Sequence, residues 1–95
     1  MEAALEQLRE IPGVGRVLAR ALWDLGFSSP EELRGQNPED LYLRLFARRG
    51  EEIDRCVLYV FRCAVYYASA SDHDPELLKW WNWKGREEPN NSGRA

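Results

Sequence analysis

The sequence predicts an all-α domain: five to six helices, most of them short, gathered on one buried central helix. Three observations carry this. No stretch alternates polar and apolar residues with period two for long enough to need a sheet. Three times, a polar cap residue precedes a proline and one or two acids: Ser29-Pro30-Glu31-Glu32, Asn37-Pro38-Glu39-Asp40 and Asp74-Pro75-Glu76. In that arrangement the cap accepts from the first helical amides, proline sits where no donor is needed, and the acids meet the positive end of the helix dipole. Finally, residues 55–68 repeat a seven-residue phrase, Arg-Cys-Val-Leu-Tyr-Val-Phe followed by Arg-Cys-Ala-Val-Tyr-Tyr-Ala. Val57, Val60, Phe61, Ala64, Val65 and Ala68 cover more than half of a helix circumference, which marks a buried helix.

Ninety-five residues, 44% of them apolar and eleven of them aromatic, suffice for one core and not for two. A single domain is expected over residues 1–84. Residues 85–95 are polar and aperiodic, and are expected to form a flexible tail. The net charge of −3 argues against a surface coated for nucleic acid, since duplex affinity comes mostly from phosphate neutralisation, but it allows a local basic patch. Eleven of the 13 basic residues are arginine. No apolar leader is visible and the longest apolar stretch, residues 56–68, is broken by Arg62 and falls short of the ~20 residues a bilayer needs. A cytoplasmic protein without membrane contact is the expectation.

In chain order, a first helix is expected over residues 2–10, with Leu5, Leu8 and then Ile11 inward. Pro12-Gly13-Val14-Gly15 breaks it. A second follows over residues 16–25, with Leu18, Ala21, Leu22 and Leu25 on its apolar face and Gly26 as its stop. The Ser29 signal opens a short helix ending near Gly35. The Asn37 signal opens a longer one that carries Leu41, Leu45 and Phe46 and fades toward Gly50. The central helix is expected from about residue 51 to 71, and the Asp74 signal opens a last short helix into Trp80-Trp81-Asn82-Trp83.

Leu8-x-x-Ile11-Pro12-Gly13-Val14-Gly15-x-x-x-Ala19-x-x-Leu22 resembles the helix-hairpin-helix motif of DNA repair and replication proteins. A glycine turn feeding a helix leaves the first backbone N–H groups without intrahelical partners, and with the helix dipole these suit a phosphate. The resemblance implies sequence-independent contact with a nucleic-acid backbone through Gly13, Gly15 and Arg16. Val14 plugs the turn into the core, and Arg20 lies four residues beyond Arg16 on the same face. Val17 and Leu18 depart from the motif, standing where strong DNA-binding examples often carry a basic or hydroxyl residue. A tight joint between helices, or a protein-docking surface, would explain the same residues. The stretch around Gly35-Gln36-Asn37 looks like a degenerate second hairpin without Gly-x-Gly, which would make the unit pseudo-doubled.

Residues 54–68 together with His73-Asp74-Pro75-Glu76-Leu77-Leu78-Lys79-Trp80-Trp81-Asn82-Trp83-Lys84 resemble the bacterial pathogenicity-locus family of small helix-hairpin-helix proteins, over roughly residues 5–84. That resemblance implies a DNA-related role only through the hairpin.

The remaining constellations are weak. Cys56 and Cys63 lie two helical turns apart, ~10.5 Å along the axis, which is too far for a disulfide and too far to share a metal ion with His73. No metal site, cofactor or catalytic set is expected, because no nucleophile–base grouping or phosphate loop is readable. Arg55, Tyr59, Arg62 and Tyr66 share one stripe of the central helix. They could pair with acids inside the fold, meet a second copy of the chain, or face a partner. Trp80, Trp81 and Trp83 could stack on bases or cap the core. The expectation for function is therefore a non-enzymatic module that contacts DNA weakly through residues 13–16 and Arg20. The alternative is a protein-interaction or dimerisation module with the Arg/Tyr stripe or the tryptophans as its surface.

Overall fold

A computed structural model describes residues 1–50 and 53–84. The expected tail and residues 51–52 lie outside that range. Within it the chain is all-helical: α1 (Glu2–Leu8), α2 (Arg16–Asp24), α3 (Pro38–Arg49) and α4 (Arg55–Ser69), with single 3-10 turns at Pro30–Leu33, Pro75–Leu78 and Trp80–Trp83. Four α-helices thus replace the five to six expected. The Ser29 and Asp74 signals begin where predicted but yield only 3-10 turns.

α1 and α2 pack against each other and are joined by a compact turn. After Leu8 the chain tightens, with Glu10 N–H bonding to the Gln7 carbonyl and Ile11 N–H to the Leu8 carbonyl. Pro12 cannot continue the ladder. The Val14 amide closes back on the Ile11 carbonyl at 3.0 Å, and the Val14 side chain is buried beside Leu8 and Ile11.

α2 ends in a Schellman arrangement. Gly26 takes a left-handed φ of 104°, the Phe27 amide reaches back to the Leu22 carbonyl at 3.0 Å, and both Leu22 and Phe27 are buried. Arg44 of α3 donates from Nη2 to the Leu25 carbonyl at 2.9 Å, which satisfies an orphan acceptor and ties α3 to the end of α2.

α3 is capped as the sequence predicts, with the Asn37 side chain accepting from the Glu39 and Asp40 amides. The first arm of the supposed second hairpin is only the turn Pro30–Leu33, whose Leu33 is fully buried, and the Glu32 carboxylate accepts from the amide and hydroxyl of Ser28 while the Ser29 side chain makes no cap. The region therefore completes the core without forming a second pair of α-helices.

α4 is the post on which the rest packs. Asp54 accepts from the Cys56 amide and starts it, four residues later than the apolar pattern implies. Leu58, Val60, Phe61, Cys63, Ala64 and Val65 are buried. α3, the Pro30–Leu33 turn and both C-terminal turns pack against it. Residues 75–83 form a strap across one side, anchored by Trp83, which is fully buried with its indole Nε1–H donating to the Leu77 carbonyl at 2.7 Å.

Candidate functional site

The turn at residues 13–15 is built from both ends. Leu8 and Ile11 set its entry and Val14 pins its middle, so Val14 is a plug: its side chain is buried and its amide is spent on Ile11. Its side chain therefore faces the core, as the sequence led one to expect of a plug.

Gly13 has a φ of 85°, and a Cβ there would stand 2.9 Å from Trp80 Cδ1. The close approach that this glycine permits is therefore taken up, on one side, by an indole of the strap. Gly15 is different. It is the extended N-cap of α2, no side chain caps the helix, and nothing lies within 4 Å of where its Cβ would be. Gly15, Arg16 and Val17, at the start of α2, are all exposed.

Arg16 does not stand alone. With Glu2, Leu5, Glu6 and Arg9 it lines a hollow of about 310 Å³ between the two helices of the pair. Two acids and two bases there leave little net charge. Arg20 is bound to Asp24 within α2 at 3.2 Å. An exposed i,i+4 pair is worth only about 0.2–0.5 kcal/mol, so Arg20 is tethered rather than committed. Asp24 sits at the far end of α2, and Glu10 lines a separate hollow with Pro30, Glu31, Tyr67 and His73.

The Arg/Tyr stripe turns out to be an internal seam. Arg62 is 8% exposed; its Nη2 and Nε donate to one carboxylate oxygen of Glu39 at 2.7 and 3.2 Å, and its Nη1 donates to the Trp83 carbonyl at 2.9 Å. Tyr66 packs on Trp83 and its hydroxyl accepts from the Asp74 amide at 2.7 Å. Tyr59 lies half-buried under the Arg62 guanidinium. Arg62 and Trp83 are too deeply buried to belong to an interaction surface, and of the stripe only Arg55 projects into solvent. Trp80 is half-buried on the turn, whereas Trp81 is 57% exposed.

The seat of Trp80 on Gly13 had no clear signal in the sequence. Of the three-way latch of Glu39, Arg62 and the Trp83 carbonyl, pairing of the stripe with an acid inside the fold was among the readings the sequence offered, and Glu39 is that acid; the Trp83 carbonyl had no signal.

The cysteines and His73 are dispersed. Among the described residues no group of three or more His, Cys, Asp or Glu could hold a metal ion. His73 donates from Nε2 to the Tyr67 carbonyl at 2.8 Å and stacks on that ring. Burial pushes the Cys63 thiol up to about 11, and the neighbouring Asp54 carboxylate raises that of the exposed Cys56. At pH 8 only about one Cys63 in a thousand is then thiolate. A thiol reagent is expected to titrate one cysteine in the folded protein and the second only after urea is added; two equivalents reacting at similar rates would contradict the burial of Cys63.

What these elements define is a small helical domain whose glycine turn opens onto an uncapped helix and is braced from behind by a tryptophan strap. The chain belongs to the pathogenicity locus family, Cdd1, whose family model matches residues 1–88. It is also similar to the mitomycin resistance protein McrB of Streptomyces lavendulae, 32% identical over 76 residues that span 80% of this chain and 69% of that protein. No solved structure matches it. No helix among the described residues is long and apolar enough to cross a membrane.

Proposed function

We propose that this chain is a non-enzymatic module whose α1, turn and α2 act as a helix-hairpin-helix unit, holding a nucleic-acid backbone weakly and without regard to sequence. The observation that carries this reading is the state of the α2 N-terminus: an uncapped nine-residue helix, an unobstructed Gly15 and an exposed Arg16. Amides of that kind, at the positive end of a helix dipole, suit a phosphate oxygen. Of the acids around the turn, Asp24 is paired with Arg20 at the far end of α2, Glu10 lines the hollow with Pro30 and His73, and Glu2 and Glu6 share theirs with Arg9 and Arg16. Arg16 and, once it leaves Asp24, Arg20 supply two cations in line along α2. Two neutralised phosphates imply a modest affinity that falls with salt at a slope of about −0.9 per contact.

Gly15→Asp tests the reading without harming the fold. An aspartate at the N-cap should add a few tenths of a kcal/mol of stability while occupying the amides and repelling phosphate. Binding of a labelled duplex at low salt, followed by anisotropy, is expected to disappear in Gly15→Asp and in Arg16→Glu while the thermal midpoint holds or rises. Failure of the unsubstituted protein to bind at low salt would sink the proposal.

A second reading rests on α3, where Leu43 and Phe46 lie exposed three residues apart on one face. They favour a protein-docking or dimerisation surface. Sedimentation at high micromolar concentration is then expected to show a dimer that Leu43→Glu dissolves; a monomer throughout would reject self-association.

A further inference from the structure

Trp81 is the most exposed aromatic among the described residues, and the residues on either side of it are anchored. Its neighbour Trp80 is seated on Gly13, and Trp83 is fully buried, with its carbonyl accepting from Arg62 at 2.9 Å. Asn82 fixes the same turn by donating from Nδ2 to the Glu76 carbonyl at 2.7 Å. Between these anchors the Trp81 ring stands nearly perpendicular to that of Trp80, at 85° with centroids 5.8 Å apart. Trp81 is thus one indole away from the turn, close enough for a single ligand to touch both.

The charge balance decides what that ligand can be. Near the turn the cations are largely balanced: Arg20 is tethered to Asp24, Lys79 is paired with Glu76 at 3.1 Å, and Arg16 and Arg9 share their hollow with Glu2 and Glu6. Phosphate neutralisation alone therefore gives little affinity. One base stacked on an aromatic ring contributes about 1–3 kcal/mol, comparable to everything the cations supply. A duplex cannot use this, because its base faces are already stacked on one another. Resting on the reading of the turn as a backbone contact, the geometry points to single-stranded nucleic acid as the ligand class, with its backbone at Gly15 and Arg16 and an unpaired base on Trp81.

The test compares a short fluorescein-labelled oligothymidine with a duplex of equal length, at low salt, against the full chain and its variants. Trp81 is exposed, so Trp81→Ala should leave the circular dichroism and thermal midpoint unchanged. The single strand is expected to bind more tightly than the duplex. Trp81→Ala should weaken the single strand by about 5- to 150-fold, the stacking energy converted at 1.4 kcal/mol per tenfold, and Trp81→Phe should recover most of the loss. Duplex binding should change less than twofold. If both ligands bind alike and Trp81→Ala changes neither, while Gly15→Asp still abolishes binding, the inference falls and the reading of the turn stands. If neither ligand binds, both fall.

Discussion

Replacing Arg62 by alanine is expected to destabilise the fold by about 3–5 kcal/mol, the sum of a buried carbonyl left without its donor and the space left where a large buried side chain stood. The guanidinium makes three hydrogen bonds, two to Glu39 and one to the Trp83 carbonyl, and so joins α3, α4 and the strap at one point. Removing it leaves that carbonyl without its donor and opens space beneath Tyr59. In a domain of this size 1 kcal/mol moves the midpoint by about 4–8 °C, so Arg62→Ala should melt at least 12 °C lower. The partner is not equivalent. Glu39 is 48% exposed on its side chain, so Glu39→Ala uncovers the guanidinium to water and leaves its bond to the Trp83 carbonyl in place; it should cost less than half as much. Lysine is no substitute, because one ammonium cannot span the carboxylate and the carbonyl in the way a planar fork does. Equal losses at Arg62 and Glu39 in urea unfolding would contradict this picture.

The core was legible because burial follows periodicity. Leu8, Ile11, Leu22, Leu41, Leu45, Phe61 and Val65 all sit where a 3.6-residue repeat places them, and all are buried. Start signals were legible too, but only as starts. Asn37 and Asp74 both accept hydrogen bonds from the amides that follow them, as Ser29 does not. How far a helix then runs depends on packing more than on its first turn, since a short helix is marginal on its own. α3 continues for twelve residues because Leu41 and Leu45 face α4. After Pro75 the chain stops at one turn and then another, because Trp83 must enter the core while Trp80 is drawn toward the turn of the α1–α2 pair.

The candidate site was legible only in part. Gly-x-Gly announced a tight turn, and the turn is there, but the two glycines have different duties that no spacing reveals. The Arg/Tyr stripe admitted pairing with acids inside the fold, a second copy of the chain or an outside partner. Its partner is internal, because Glu39 comes from a helix start 23 residues earlier and the Trp83 carbonyl from a strap 21 residues later. Long-range pairing of this kind leaves no local mark beyond the misplaced charge itself.

The division of labour between the glycines leads to the second large effect. Gly13→Ala places a Cβ at a left-handed φ of 85°, which costs an L-residue about 1–2 kcal/mol, and drives it to 2.9 Å from Trp80 Cδ1 and 3.4 Å from Trp80 Cβ. The second contact involves the root of the side chain, so the ring cannot simply swing away and the strap must shift. The sum should reach about 2–4 kcal/mol, strain and overpacking together. Gly15→Ala meets nothing within 4 Å at an ordinary extended φ of −93°, and should cost about 1 kcal/mol or less, the difference between glycine and alanine at an N-cap. A double-mutant cycle separates the causes at Gly13. In a Trp80→Ala background the 2.9 Å contact with the ring is gone, and the backbone strain and the 3.4 Å contact with Cβ remain, so Gly13→Ala should be milder there by about 1 kcal/mol or more. Additivity of the two substitutions would mean that Trp80 does not rest on the turn, and it would remove the bridge that sets Trp81 beside it.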